Sequence, residues 1–233
     1  MGTVFSFAVR DPGPGTEAAL RRITARLHEM DAVFSPYRAD SDISRLARGE
    51  LALDHCHPDV PEALARCREV AAETDGWFTH WLGGRLDPSG WVKGWAVEEA
   101  SRLLRAAGSA DHVVSGGGDV QTAGGPWRVG IADPLRPGVL AATVTGHDLA
   151  VATSGTAERG PHILDPHTGR PATGLASLTL VGRHLARTDA WATAAFAMGP
   201  HRALAWAGRH PAVEALAITS AGTHHRTPGF PAG

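Results

Sequence analysis

Asp189 and Thr193 stand four residues apart in the stretch ARTDAWATAAFAMG, Ala186 to Gly199, which is otherwise largely apolar. On a helix, residues i and i+4 share a face. A carboxylate and a hydroxyl so placed can meet one hard cation through oxygen, and magnesium suits that donor set. The same two residues also fit a plainer arrangement. Asp189 then caps the helix N-terminus and Thr193 turns its methyl group to the core.

Three further stretches carry chemistry-bearing residues. Ser115-Gly116-Gly117-Gly118-Asp119 follows an apolar run. Glycines there permit positive φ and close backbone approach, so that amides can face an anion, or they simply make a tight turn. It is not a P-loop, because Lys and Ser/Thr do not follow at the required spacing. In GWVKGWA, Lys93 sits between glycines at a predicted helix start, where a cation opposes the helix dipole and a role in meeting phosphate would explain it. ATSGTAERGPHILDPHTGRP, Ala152 to Pro171, is dense in polar residues without helical periodicity, as site-bearing loops are. Its His162 is a candidate proton acceptor or a satisfied core histidine, and its DPHTG reads as a turn. His55-Cys56-His57 offers soft-metal donors, but strand alternation would put Cys56 on the face opposite both histidines.

The elements that must hold these residues follow from local pattern. Phe5, Phe7 and Val9 alternate as a strand, and DPGPG ends it. Leu20, Ile23, Leu27, Met30 and Phe34 recur at helical spacing after Thr16. Helices are predicted from Pro61, from about Lys93 to Ala107, over 189–198 and over 200–209. Strands are predicted at HVVSGGGDV, WRVGIADP, around a GHD turn within 139–153, at 175–183 and at 213–219. Helices come early, strands in the middle, and no βαβ alternation or repeat dominates. That order predicts an α+β fold with mixed or antiparallel sheets flanked by helices. One domain is expected over 1–222, with 223–233 a disordered tail.

The chain has 233 residues, 43% hydrophobic and 20% charged, as an ordinary globular protein does. Lys plus Arg total 22 against 24 Asp plus Glu, so no bulk attraction to nucleic acid or anionic membrane is expected. No apolar run is long enough to predict a membrane span. Two cysteines do not make a disulfide framework, and the start MGTVFSFAVRDPGPG carries no signal pattern, so a cytoplasmic protein is predicted.

Taken together, MGTVFSF, FSPYRADSDISRL, LDPSGWVKGWAVEEA, VVSGGGDV, WRVGIADP, VATSGTAER, HILDPHTGRP and TDAWATAAFAMG occur in an order that resembles the FAD:protein FMN transferases of the ApbE family, whose fold is related to the T-fold. The resemblance covers Met1 to about Gly199, with GWFTHWLGGRLDPSG shorter than the usual stretch. It implies binding of FAD with Mg²⁺, Mn²⁺ or Ca²⁺ and cleavage of the pyrophosphate. FMN then passes to a Thr or Ser of an acceptor flavoprotein through a phosphoester, and AMP is released. It implies Asp189, Thr193 and the Val92 carbonyl as metal ligands, with His162 and Asp189 catalytic. It implies Met1, Asp87, Lys93, Ser115, Gly116, Gly117, Gly118, Asp119, Thr153, Ser154, Gly155 and Arg159 as FAD contacts. An apolar wall for the flavin or adenine is expected from Met1, Trp77, Phe78 or Trp91. Two other readings are carried: an FAD pyrophosphatase giving FMN and AMP, and a non-catalytic flavin-binding protein.

Overall fold

A computed structural model of the chain describes residues 3–82, 84–157 and 160–231. Strand β1 (Phe5–Val9) is followed by helices α1 (Thr16–Phe34), α2 (Asp42–Ala47) and α3 (Asp59–Glu73), with a 3-10 turn at Leu53–His55. A two-stranded ribbon, β2 (Trp81–Leu82) and β3 (Arg85–Leu86), leads into α4 (Ser89–Ala106). Strands β4 (His112–Gly116), β5 (Asp119–Ala123), β6 (Trp127–Ala132), β7 (Leu140–Gly146), β8 (Ala150–Gly155) and β9 (Leu175–Gly182) come next. Helix α5 (Leu185–Ala207), kinked at Gly199–Pro200, and strands β10 (Glu214–Thr219) and β11 (His224–Arg226) complete the order.

Seven strands form one antiparallel sheet in the order β1-β4-β5-β8-β9-β10-β11. The expected α+β class with antiparallel pairing is what the chain adopts. The period-2 alternation of strands sends Leu178, Leu180, Ala215 and Ala217 to a cluster shared with the helices. Val151, Val181, Leu216 and Ile218 point the other way, against Val129, Ile131 and Val144 of the β6–β7 hairpin. Both faces of the central strands are therefore covered, and all eight residues of β9 are buried. Each leucine, isoleucine or valine so removed from water contributes roughly 2 kcal/mol.

The expected strands flank the GHD turn, and they belong to different layers: β7 pairs with β6 in the outer layer, whereas β8 pairs with β5 and β9 in the main sheet. Asp148, at φ 50°, turns the chain between layers. The segment assigned to a disordered tail instead adds β11 to the sheet edge, because Thr227 accepts the Ala215 amide at 2.8 Å and Phe230 buries against the hairpin cluster.

Helix α5 begins earlier than the sequence predicts, at Leu185, and its first amides are satisfied from outside the helix. The Leu185 amide donates to Gln121 Oε1 at 3.0 Å and the Ala186 amide to Glu98 Oε2 at 2.9 Å. The Gln121 amide nitrogen in turn donates to the Arg183 and Leu149 carbonyls at 3.2 and 3.3 Å. Replacing Gln121 by Met keeps the volume and strands these buried groups. Urea unfolding is expected to report a loss of about 2 kcal/mol; an unchanged midpoint would refute the cap.

Candidate active site

One end of the main sheet, where β4 turns into β5 and β8 gives way to the loop before β9, opens into a cavity of about 760 Å³. That is ample for a nucleotide-sized ligand. Helices α4 and α5 close it on one face of the sheet and strand β6 closes it on the other. Its apolar lining comes from Phe34, Trp77, Phe78, Val129, Ile131 and Ile163.

The polar floor is built where α4 crosses α5. Gly94 makes that crossing possible, since a Cβ there would stand 2.6 Å from the Leu185 carbonyl oxygen and 2.8 Å from Asp189 Cβ. Asp189 lies one turn inside α5, is 3% exposed and has its Oδ1 3.0 Å from Lys93 Nζ. It is therefore not the helix cap, because Gln121 and Glu98 fill that role. Thr193, one turn on, lines the same cavity with its hydroxyl 3.4 Å from that of Ser154. Lys93 is not at the helix start either. α4 begins at Ser89, whose amide is capped by Asp87 at 3.0 Å, so Lys93 sits in the second turn and reaches inward.

Asp119 explains how the strands and the lysine are held together. β5 and β8 are paired only at Val120–Val151 and Gln121–Ala150. Beyond that, the Asp119 carboxylate takes the place of a ladder partner and accepts the Thr153 amide at 2.9 Å. Its other oxygen ion-pairs with Lys93. Gly117 and Gly118, at φ 58° and 86°, make the two-residue turn between β4 and β5 that brings Asp119 there. A Cβ on Gly117 would stand 2.8 Å from the Thr3 hydroxyl, so the turn packs closely against the chain entering β1.

Of the expected FAD contacts, Asp87, Lys93, Gly117, Gly118, Thr153, Ser154 and Gly155 line the cavity. Ser115, Gly116 and Asp119 do not. Gly116 faces the core, where a Cβ would strike Val97 at 2.7 Å, and Asp119 acts from behind through Lys93. Met1 and Arg159 lie outside the described residues. Trp77 and Phe78 stand in the wall as expected, but Trp91 packs into the core. Val92 lines the cavity from within α4, as does Gly90, where an added Cβ would lie 3.9 Å from Thr193 Oγ1.

His162 stands at the cavity rim, exposed to solvent. Its Nδ1 lies 3.0 Å from the Gly160 carbonyl oxygen. A carbonyl only accepts, so Nδ1 carries the proton, and the neutral ring then has its lone pair on Nε2. The DPHTG segment is a turn, with the Asp165 carboxylate accepting the His167 amide at 2.8 Å and the Thr168 hydroxyl at 3.0 Å. His167 then packs edge-on against Trp77, ring centroids 4.5 Å apart, and steadies the wall. Asp133, at the end of β6, also lines the cavity. The Leu135 amide and the Arg136 guanidinium hold its carboxyl below the usual range. Burial pushes the lining His80 down, and Arg68 adds to it. Val129, Ile131 and Asp133 went unassigned from sequence although WRVGIADP alternates. Alternation names a face, not what the face meets.

The donor set fits a hard divalent ion. Asp189 and Thr193 offer oxygen from one helix face, and a Lys93 ammonium already stands on Asp189 as a cation. Among the described residues no three His, Cys, Asp or Glu gather as a preformed cage. An ion held by so few protein groups completes its coordination with water and substrate phosphates, which is magnesium's habit. Also among the described residues, no helix is long and apolar enough to cross a membrane.

A family model described as the ApbE family matches residues 1–84 and 79–217. The chain is 36% identical over 156 residues to the FAD:protein FMN transferase of Rhodobacter capsulatus, covering 62% of this chain and 30% of that one. It is 31% identical over 126 residues to the enzyme of the same name from Escherichia coli K12, covering 48% and 36%. The matched segment is thus about a third of either relative's length. The structure titled Flavin Transferase ApbE from Vibrio cholerae superposes with a TM-score of 0.84 at 22% identity, over 99% of this chain and 95% of that one. The ApbE protein of Thermotoga maritima gives 0.85 at 21%, over 100% and 97%. At such identities the likeness establishes the fold.

Proposed function

Since the chain belongs to the ApbE family, we propose that this cavity binds FAD and transfers its FMN moiety to a hydroxyl of an acceptor protein, with release of AMP. The observation that carries the reading is the meeting of Lys93, Asp189, Thr193 and His162 on one nucleotide-sized cavity. A Mg²⁺ ion held by Asp189, Thr193 and a carbonyl of the first turn of α4 would supply charge neutralisation and a template for the pyrophosphate. The carbonyl the resemblance implies is that of Val92, which lines the cavity. Lys93 meets phosphate charge from the floor.

With Nδ1 donating to the Gly160 carbonyl, the Nε2 lone pair of the neutral His162 ring at the cavity rim can take the proton of a Ser or Thr hydroxyl. The acceptor oxygen bonds to the FMN phosphorus, the bond to the bridging oxygen breaks, and AMP departs with that oxygen. Trp77 and Phe78 cover an aromatic ring system and exclude water beside the transfer.

Incubating the protein with FAD, Mg²⁺ and a candidate acceptor is expected to raise the acceptor's mass by one FMN. Free FMN without a labelled acceptor would identify a pyrophosphatase, and tight FAD without turnover a binding protein. His162→Ala is expected to lower transfer about a hundredfold while FAD affinity, read by flavin fluorescence, changes little. Equal loss of both would remove His162 from the role of base.

A further inference from the structure

The Lys93 ammonium lies between two carboxylates that the fold has taken out of water. Asp189 Oδ1 is 3.0 Å away and Asp119 is in direct ion-pair contact; the two acidic side chains are 4% and 1% exposed. The carboxylates are fixed. Asp119 is tied to the sheet through the Thr153 amide, and Asp189 is carried on α5, pressed to α4 across Gly94. Lys93 is the adjustable member. It hangs on a flexible four-carbon stem, its side chain keeps 22% exposure, and it opens on the cavity.

We propose that Lys93 is a built-in competitor for the metal position: it neutralises Asp189 in the metal-free protein, and a divalent ion binds by displacing it onto Asp119. This rests on Asp189 and Thr193 being metal ligands. Asp119 is then a positioning residue, which receives the displaced ammonium and keeps it from re-entering. The cluster of two carboxylates and one ammonium carries one net negative charge. With a divalent ion added it carries one net positive charge. The cavity floor thus becomes attractive to a diphosphate when the ion arrives, and Lys93 remains beside it to share the phosphate charge.

The test is Mn²⁺ alone, without nucleotide, titrated calorimetrically into the purified protein. Lys93→Met and Lys93→Gln, both checked by thermal melting, are expected to bind Mn²⁺ about tenfold more tightly than the unaltered chain, because a cation in contact with the ligand is gone. Asp119→Asn is expected to bind it several-fold more weakly, since Lys93 then has Asp189 as its remaining anion. A lysine that serves only to hold the fold, or only to meet phosphate, predicts no tightening in either Lys93 variant. Unchanged or weaker binding in both overturns the displacement, as does failure of every variant to bind. The Asp189→Asn control separates the two levels. If it abolishes binding while the Lys93 variants stay at the original affinity, the displacement alone fails. If it leaves binding intact, the metal assignment fails with it.

Discussion

Asp189→Asn is expected to lower FMN transfer at least about a hundredfold while the protein stays folded. The substitution preserves shape and removes one charge at a position 3% exposed. The charge is what matters for a divalent ion held by few protein groups, because an amide oxygen donates a lone pair without neutralising anything. Folding should tolerate the change, since Lys93 keeps Asp119 as a partner. A shift in Tm smaller than about 5 °C is expected. Acceptor labelling followed by mass spectrometry, across a Mg²⁺ series, checks the first part and a thermal melt the second. A variant that labels its acceptor at the ordinary rate would take Asp189 out of the metal site. Recovery at high Mg²⁺ would instead show that the loss lies in ion affinity rather than in the transfer step.

Gly94→Ala is expected to destabilise the fold by about 3 kcal/mol, which reverses the usual sign. In a helix interior, Gly to Ala ordinarily stabilises by nearly 1 kcal/mol. Here the added methyl would meet the Leu185 carbonyl oxygen at 2.6 Å and Asp189 Cβ at 2.8 Å, with Ala186 Cα at 3.1 Å. Two of those three neighbours are backbone and cannot rotate away, so α4 and α5 must part. Parting them also moves Lys93 away from Asp189, which couples the packing of two helices to the floor of the site. Urea unfolding measures the first effect. A stabilised Gly94→Ala protein would mean the helices do not cross as closely as this. As a comparison, Gly108→Ala at the end of α4 tests backbone strain alone, because its φ is 91° and nothing stands near its Cβ direction.

Much of the architecture is written in local pattern. Alternation at Phe5, Phe7 and Val9, the helical recurrence from Leu20 to Phe34, and the glycine turn after Val114 depend on near neighbours, and each is found in the fold. The four-residue spacing of Asp189 and Thr193 is equally local, and it suffices to place both on one helix face. The matching family could be named for the same reason, because its motifs are short runs read in order.

What spacing leaves open is what each face meets. That Asp189 is not the cap turned on Gln121 and Glu98, which arrive from β5 and α4 to satisfy the first amides of α5. Lys93, expected near a helix start, became the bridge between Asp119 and Asp189 because α4 begins a turn earlier and Gly94 lets α5 close in. Gly116 and Gly117 are indistinguishable as letters, yet one is pressed against Val97 and the other shapes the cavity. The turn at Asp148 sends β7 and β8 to different layers, although the expected strands on either side of it say nothing of their partners. Hydrogen-bonded periodicity is a property of a few consecutive residues, whereas caps, ion pairs and layer assignments are formed by groups distant along the chain, and they exist once burial has brought those groups together.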